Sequence, residues 1–167
     1  MYDDMTKEDI AKIEEEIEHR KLVVRKEAIQ AVKAARAHGD LSENFEYHAA
    51  KQYKNQNESR IRYLEKMIKT AHVIEDKSAE DEVGLFNTVT VYIPEDDTEE
   101  QYKIVTGIRG NSLDGRISIE SPVGKALLGH KTGDTVTVKV SDEYSYKMEI
   151  RRIDKTVDDG SDDIRSF

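Results

Sequence analysis

Between Thr6 and Glu75 the chain contains a single glycine, Gly39, and no proline. So long a stretch without helix-breaking residues, rich in Ala, Glu, Lys, Arg and Ile, is typical of long α-helices. On each side of Gly39 the apolar residues recur at the spacing of a coiled-coil seam. The sequence therefore predicts two packed helices, the second weakest in its middle, where Lys54 and Asn57 occupy seam positions. The apolar seam positions are Ile13, Ile17, Val24, Ala28, Ala31 and Ala35 before Gly39, and Tyr47, Ala50, Ile61, Leu64, Ile68 and Ala71 after it.

The segment that joins the two helices, residues 38–44, reads HGDLSEN. Gly39 suits the left-handed cap of the first helix, and Asp40 or Ser42 is expected to cap the second. A connection this short makes the two helices antiparallel. At about 1.5 Å per residue, arms of about 30 residues predict a rod of roughly 45 Å with this segment at its tip.

After an acidic stretch at 75–82 the periodicity of the chain changes to two. Segments of alternating apolar and polar residues predict strands, and Ser121-Pro122 is expected to open a short helix that ends before Gly129. Strands around a short helix predict an α+β domain. The predicted strands cover residues 86–93, 102–108, 135–140 and 146–153. The predicted organisation is a coiled coil at 1–76 with its acidic tip at 39–44, a linker at 77–84, a packed domain at 85–156 and a frayed acidic tail at 157–167.

Charge and composition exclude several classes of function. With 26 Lys and Arg against 35 Asp and Glu, the formal net charge is −9, which argues against nucleic-acid binding driven by bulk charge. The absence of Cys excludes disulfides, thiolate zinc sites and cysteine nucleophiles. No apolar run approaches the roughly 18 residues of a membrane span, so we expect a cytoplasmic protein without a membrane partner.

The second predicted helix carries more basic than acidic side chains, despite the acidic whole. Such a strip could follow a phosphate backbone inside a complex, and a solvated helix face explains it equally well. The acidic members are Glu58 and Glu65, and the basic members are Lys51, Lys54, Arg60, Arg62, Lys66 and Lys69.

Two carboxylates, Asp40 and Glu43, stand three residues apart at the predicted tip. Mg²⁺ takes oxygen ligands, and two carboxylates are too few for a resident site but enough to complete one whose other ligands belong to a partner. A cation held in that way could lower the pKa of a water molecule and steady an in-line attack on phosphorus. Residues 40–43 also fit a capping box. A self-contained metal site with His38 and His48 is a further alternative, although their separation matches no standard ligand spacing.

Residues 35–51 closely resemble the signature of the Gre family of transcript cleavage factors. A second block, residues 121–129 followed by Gly133-Asp134, resembles the C-terminal motif of that family. Together with Arg60-Ile61 and Val73-Ile74, these motifs span nearly the whole chain in the order that the family has.

This resemblance implies an antiparallel coiled coil followed by a domain of the FKBP-like fold. In the Gre family the globular domain docks at the rim of the secondary channel of bacterial RNA polymerase, and the coiled coil enters the channel. The tip carboxylates, here Asp40 and Glu43, help to hold the second catalytic Mg²⁺ and its water, so that polymerase cuts the extruded 3′ end of its own transcript. The resemblance thus implies a cofactor-like activator, not an enzyme, which binds no cofactor tightly by itself. We expect it to be a monomer.

Other residues have expected roles at the tip or at the polymerase rim. Arg36 and Lys51 are expected to contact RNA phosphate or polymerase, and Ser42, Asn44 and Tyr47 to shape the tip. Contact with the polymerase rim is assigned to Ser121, Pro122 and Lys125. The chain departs from the family pattern at several positions, which leaves open a specialised paralogue: Lys26, Ala37, Phe45, Glu58 and Ser59.

Two other functions stay open. The first is an inhibitor that blocks the polymerase channel without cleavage, although the tip follows the cleavage-factor pattern. The second is a prolyl isomerase or chaperone, which needs an apolar pocket lined by aromatic side chains. The second half of the chain offers few aromatic residues for such a pocket: Phe86, Tyr92, Tyr102, Tyr144, Tyr146 and Phe167.

Overall fold

A computed structural model describes residues 3–39 and 44–166 of the chain. These residues form two compact units. One unit is a helical hairpin over residues 7–71, and the other combines residues 3–6 with residues 72–166 around a curled β-sheet. The predicted α+β class with an N-terminal helical hairpin is confirmed.

The hairpin has two helical arms. The first arm consists of α1 (Lys7–His19), a π-helical turn (Arg20–Val24) and α2 (Arg25–Arg36), and the second is the single helix α3 (Phe45–Thr70). The arms pack through small and branched apolar side chains, as the seam pattern predicts. The buried apolar residues are Ile13, Ala28, Val32 and Ala35 in the first arm and Ile61, Leu64 and Met67 in the second.

Ala31 differs from the prediction, because it is exposed and Val32 is buried in its place. The other predicted seam positions are buried or half-buried, and the half-buried ones are Ile17, Val24, Tyr47, Ala50, Ile68 and Ala71. The π-helical turn does not shift the seam of α2, because Ala28 and Ala35 beyond it are buried as predicted. Burying the larger Val32 removes more apolar surface from water than burying Ala31 would.

The polar middle of the seam is paired across the arms. Asn57, only 3% exposed, donates from Nδ2 to the carbonyl oxygen of Arg20 at 3.2 Å and accepts from Arg20 Nη1 at 3.1 Å. The backbone N–H of Arg25 also donates to that carbonyl, closing the π-helical turn. The residue predicted to weaken the second helix therefore makes hydrogen bonds to the other arm.

Ion pairs surround this contact. The carboxylate of Glu16 accepts from Arg60 Nε at 2.8 Å and from Arg20 Nε at 2.7 Å. Burial raises the pKa of the Glu16 carboxyl, but the hydrogen bonds and charges of Arg60 and Arg20 outweigh burial and leave the pKa below its ordinary value. Beyond the π-helical turn, Arg25 donates twice to Glu58, at 2.7 and 2.9 Å. Charged pairs thus join the arms where apolar residues are missing.

The second unit contains two sheets. The short strands β1 (Asp4–Met5) and β2 (His72–Val73) pair in parallel. The main sheet has the order β5-β4-β3-β7-β6, in which only β4 and β5 run parallel. Along the described residues, no helix is long and apolar enough to cross a membrane. The main-sheet strands are β3 (Thr88–Ile93), β4 (Thr98–Val105), β5 (Arg116–Ser118), β6 (Thr135–Lys139) and β7 (Ser145–Asp154).

One short helix, α4 (Pro122–Leu127), packs on the main sheet, and its last residue, Leu127, is fully buried in the core. Ser121 caps α4 by accepting the N–H of Gly124 at 3.1 Å. Gly124 has no room for a side chain, because a Cβ there would lie 1.9 Å from the carbonyl oxygen of Ser118. The four predicted strands and this helix are present, but the strand predicted over 102–108 runs over Thr98–Val105, and Gly107–Arg109 form a 3₁₀ turn instead. The sequence gives no signal for β5, which has three half-buried residues and no alternation.

The boundaries of the second unit differ from those predicted. Val83, within the expected linker 77–84, is fully buried, and Lys155 Nζ donates to the carbonyl oxygen of Glu82 at 2.8 Å. The expected tail at 157–167 also packs on the unit, because Asp158 pairs with the buried Arg109 at 2.9 Å. Polar composition suggested a linker and a tail, but backbone carbonyls of the first segment bind Lys155, and Asp158 of the second pairs with buried Arg109.

We predict that Glu16→Gln lowers the free energy of unfolding of the hairpin by about 1.5 to 3 kcal/mol at neutral pH, because buried Arg60 loses its carboxylate partner. The folded-state pKa of Glu16 lies below the unfolded value, so its contribution is complete above the unfolded pKa of about 4.3 and is lost as pH falls through the folded pKa. Urea unfolding followed by circular dichroism at neutral and acidic pH measures both effects.

Glu18→Gln is the matched control, since Glu18 is exposed on the same helix. An equal loss for both variants, or a Glu16→Gln loss that persists unchanged at pH 2, would contradict this interpretation of the ion pair.

Candidate functional site at the hairpin tip

The predicted site lies between the two arms of the hairpin. Asp40, Ser42 and Glu43 fall outside the described residues, so the site is characterised by its flanks. α2 ends at Arg36, and Gly39 follows with a φ of +110°, a left-handed conformation that glycine adopts readily. α3 begins at Phe45.

Asn44 closes the tip from the side of α3. Its Oδ1 accepts the backbone N–H of Tyr47 at 3.0 Å, which makes Asn44 the N-cap of α3. Its Nδ2 donates to the carbonyl oxygen of Ala35 in the other arm at 2.7 Å. The prediction that Asp40 or Ser42 caps this helix is therefore wrong. A capping box at residues 40–43 would need a helix that begins within those residues, whereas α3 begins at Phe45.

Arg36 and Tyr47 lie next to each other across the tip. The Arg36 guanidinium carbon is 5.6 Å from the centre of the Tyr47 ring, within cation–π range. A hydrogen bond from Arg36, with the positive charges of Lys51 and Lys54, holds the pKa of the Tyr47 hydroxyl below its usual value. Tyr47 thus interacts electrostatically with both Arg36 and Lys51, and all three residues were assigned to the tip.

The outer face of the tip is exposed. Phe45, the first residue of α3, leaves 87% of its surface in water. His38 Nε2 lies 4.0 Å from Glu46 Oε2 with both side chains exposed, a pairing that contributes little energy. Within residues 3–39 and 44–166 no group of three His, Asp or Glu side chains could hold a metal ion.

The basic strip of α3 needs one correction, because Arg60 is buried and bonded to Glu16 and does not belong to an exposed face. The two acids of the strip, Glu58 and Glu65, pair with Arg25 and Lys21 of the first arm. Lys51, Arg62, Lys66 and Lys69 are exposed. A shallow polar groove near the tip is lined by His48, Lys51, Gln52, Asn55, Gln56 and Ser59.

The residues expected at the polymerase rim lie at the start of α4. Ser121 Oγ donates to the carbonyl oxygen of Ser118 at 2.6 Å as well as capping α4, so its hydroxyl has a structural role. Pro122 and Lys125 are exposed. Only these two present their surfaces to a partner without breaking the cap.

The donor chemistry of the tip fits a shared Mg²⁺. Asp40 and Glu43 offer carboxylate oxygens, the donors that this hard cation prefers, and two carboxylates leave most of its coordination positions to water, phosphate or a partner. The flanking cations Arg36 and Lys51 suit phosphate oxygens.

Sequence reasoning missed the cross-arm bond of Asn44. Asn is among the preferred N-cap residues, and its place immediately before the first residue of α3 was the available signal. It also missed the partner of Arg60, which lies 44 residues away at Glu16. No local pattern encodes a contact over that separation.

We predict that Asn44→Ala lowers the free energy of unfolding by about 1 to 2 kcal/mol, because the cap of α3 and the bond to Ala35 are both lost. Thermal unfolding followed by circular dichroism at 222 nm provides the measurement. Asn55→Ala, an exposed site inside the same helix, should leave the midpoint unchanged or raise it. Equal midpoints for the two variants would show that the cap contributes nothing.

Two family models match the chain. The model "Transcription elongation factor, N-terminal" matches residues 4–73, and "Transcription elongation factor, GreA/GreB, C-term" matches residues 77–155. Transcription elongation factor GreA of Streptococcus pneumoniae (serotype 19F, strain G54) is 43% identical over 153 residues, which cover 91% of this chain and 95% of that protein. The GreA of Streptococcus sanguinis (strain SK36) is 44% identical over 154 residues, covering 92% of this chain and 96% of that protein.

Solved structures give weaker similarity. GreA factor homolog 1 (Gfh1) of Thermus thermophilus aligns with 27% identity and a TM-score of 0.42 over 92% of this chain and 99% of that one. A GreA/GreB factor from Nitrosomonas europaea aligns with 23% identity and a TM-score of 0.39, covering 56% of this chain and 78% of that one.

Proposed function

This chain belongs to the GreA/GreB family of transcription elongation factors, and from that premise we propose that it stimulates RNA polymerase to cleave the 3′ end of a backtracked transcript. As a transcription elongation factor it acts on RNA polymerase. The proposal adds the route through the secondary channel, the contact with nascent RNA and the role of the tip. One observation carries it: the 2.7 Å bond from Asn44 to Ala35 joins the arms on either side of Asp40 and Glu43.

The residues of the tip have separate roles in this proposal. Asp40 and Glu43 supply oxygen ligands to the catalytic centre of polymerase, where they hold a Mg²⁺ jointly with it. When bound, this cation supplies an activated water and stabilises charge at the phosphodiester that is cut. Arg36 and Lys51 bind phosphate oxygens of the extruded RNA or acidic groups of polymerase. Asn44 joins the arms through the bond from its Nδ2 to Ala35, while its Oδ1 caps α3.

Tyr47 is a positioning residue in this scheme. Its ring lies within cation–π range of the Arg36 guanidinium and restricts the orientations that the Arg36 side chain adopts. Ser42 belongs to the same segment and is expected to help shape it.

The chain is then an activator of a reaction that polymerase performs, and not an enzyme itself. Two carboxylates cannot assemble a metal centre alone, so the chemistry depends on ligands from polymerase. The isolated chain is expected to bind no Mg²⁺ tightly. The proposal also implies a monomer acting in the cytoplasm, because a single hairpin fills one channel of one polymerase.

We also propose an FKBP-like fold for the second unit, with α4 against a curled five-stranded sheet as its support. In this scheme the unit docks at the rim of the channel through the surface at the start of α4. Pro122 and Lys125 are its exposed members, and Ser121 holds them in place by capping the helix.

Channel blocking without cleavage is the second candidate. The departures at Ala37 and Phe45 favour it, since both flank the acidic segment and Phe45 is exposed. Incubating a halted elongation complex with the chain separates the two functions. Shortened RNA followed by renewed elongation supports cleavage, and arrest without shortening supports blocking.

Prolyl isomerisation has less support, because the aromatic residues of the second unit are engaged elsewhere. Phe86 is buried with the Arg109 guanidinium carbon 5.5 Å from its ring centre, and the Tyr92 hydroxyl donates to Asp97 at 2.6 Å. A protease-coupled assay on a proline peptide tests this activity directly.

Removing either tip carboxylate should abolish stimulated cleavage. We predict that Asp40→Ala and Glu43→Ala each reduce the cleavage rate of a backtracked complex at least a hundredfold, because the shared cation loses a protein ligand. Helicity at 222 nm and affinity for polymerase should stay close to those of the unchanged chain. Single-turnover cleavage of end-labelled RNA gives the rate.

Glu46→Ala is the matched control, since it removes one exposed acid close to the tip and outside the proposed ligand set. It should cleave at the normal rate. Cleavage that survives in Asp40→Ala while the hairpin melts at lower temperature would assign a structural role to Asp40 instead.

At the proposed docking surface, we predict that Lys125→Glu weakens binding to polymerase about tenfold or more without changing the unfolding midpoint of the chain. The side chain is exposed, so the fold does not depend on it. Lys147→Glu, an exposed site on β7 with the same change in charge, is the control for a bulk electrostatic effect. Equal weakening by both variants would refute a local contact at Lys125.

A further inference from the structure

Three cationic side chains of the second unit converge on one site. Arg109 is only 1% exposed, Lys103 Nζ lies 6.0 Å and the Arg109 guanidinium carbon 5.5 Å from the centre of the Phe86 ring, and Arg116 Nε donates to the carbonyl oxygen of Arg109 at 2.9 Å. We call Lys103, Arg109 and Arg116 the cationic site. Arg116 also lines a surface pocket that includes Ser121 and Val123 at the start of α4 and residues 163–166 of the C-terminal segment.

The C-terminal segment of the chain fills this site. Asp158 accepts two hydrogen bonds from the Arg109 guanidinium, at 3.1 and 2.9 Å, in the bidentate geometry that suits a carboxylate. Asp162 accepts from Lys103 Nζ at 2.7 Å and lies 3.7 Å from Arg116 Nη1. Both aspartate side chains are about 11% exposed.

The buried guanidinium favours this occupancy. A buried cation is stabilised by an anion that lies close to it, and Asp158 is one such partner of Arg109. Asp158 lies beyond residue 155, where the match to the GreA/GreB family model ends, while Arg109 lies within the matched region.

We propose that the cationic site is a recognition site for an acidic peptide segment, which the C-terminal residues 157–166 of the chain occupy as a tethered ligand. The tether gives its own segment a millimolar effective concentration. An acidic segment of a partner then binds only when it displaces the tethered one. The C-terminal segment therefore blocks the cationic site from within the same chain until a partner segment replaces it.

The occupant is a peptide and not a nucleic acid, because the site also forms hydrogen bonds with the peptide backbone of the segment that it binds. Arg109 Nη1 donates to the carbonyl oxygen of Asp162 at 3.2 Å, and the carbonyl oxygen of Ile108 accepts the N–H of Arg165 at 2.8 Å. A phosphate backbone offers oxygen acceptors but no amide donor for Ile108. The two aspartates lie four residues apart with a turn at Gly160 between them, where φ is +81°.

The test uses the full chain with Asp158→Lys and Asp162→Lys combined. These substitutions give the tethered segment positive charges, which the three cations of the site repel. The probe is a synthetic peptide of residues 157–166 with the unchanged sequence, titrated into isotopically labelled protein and followed by NMR. We expect saturable shifts of the Lys103, Arg109 and Arg116 signals, with a Kd at least tenfold tighter than in the unchanged chain.

Asp142→Lys combined with Glu143→Lys is the matched control. It changes the net charge equally at two exposed positions between β6 and β7, where Asp142 pairs with Lys139. This variant should bind the peptide as weakly as the unchanged chain does. A probe peptide with Asn at positions 158 and 162 should fail to bind any of the proteins.

Three results would overturn the proposal. One is the absence of saturable binding to the reversed variant, and another is equal binding to both double variants. The third is an equal response to a single-stranded RNA of matched charge, which would indicate a general polyanion surface. If the reversed variant does not fold, Asp158→Asn combined with Asp162→Asn replaces it under the same expectations, and a failure of that folded variant to bind the peptide also overturns the proposal.

Discussion

The hairpin depends on a polar contact in the middle of its seam. Asn57 bonds to Arg20 through both the nitrogen and the oxygen of its side-chain amide. The ion pairs of Glu16 with Arg20 and Arg60 lie beside this contact. Apolar seams tolerate sliding, whereas a buried amide is satisfied in one register only. A slip by one turn would leave Asn57 and Arg60 buried without partners, at a cost of several kcal/mol. This contact therefore fixes which residues face each other at the tip, where Asn44 meets Ala35.

Buried cations organise both units in the same way. Arg60 in the hairpin and Arg109 in the second unit are each shielded from water and each matched by a carboxylate distant in sequence. In a chain with 37% charged residues, such pairs connect elements where apolar area is scarce. They also explain why the acidic C-terminal segment packs on its unit.

The sequence predicted what periodicity and turn residues encode. The helical arms, the four longer strands and the Ser121 cap of α4 follow from local patterns, and the tip segment follows from Gly39 and its neighbours. Long-range contacts were not predictable from local patterns. The cap of α3 was placed at Asp40 or Ser42 because several acceptable caps compete within a few residues. Arg60 was placed on an exposed strip and residues 157–167 in a frayed tail, since a charged side chain gives no sign of its distant partner.

The aromatic ring of Phe45 sits at the leading end of α3 with most of its surface in water. Removing a phenylalanine side chain from water releases about 2 kcal/mol, close to thirtyfold in an equilibrium constant. Any surface that covers this ring gains that free energy, whichever polar groups meet afterwards. The second arm thus carries an apolar contact surface beside its charged residues. The time for which the arm stays bound to a target depends partly on how completely the target excludes water from this ring.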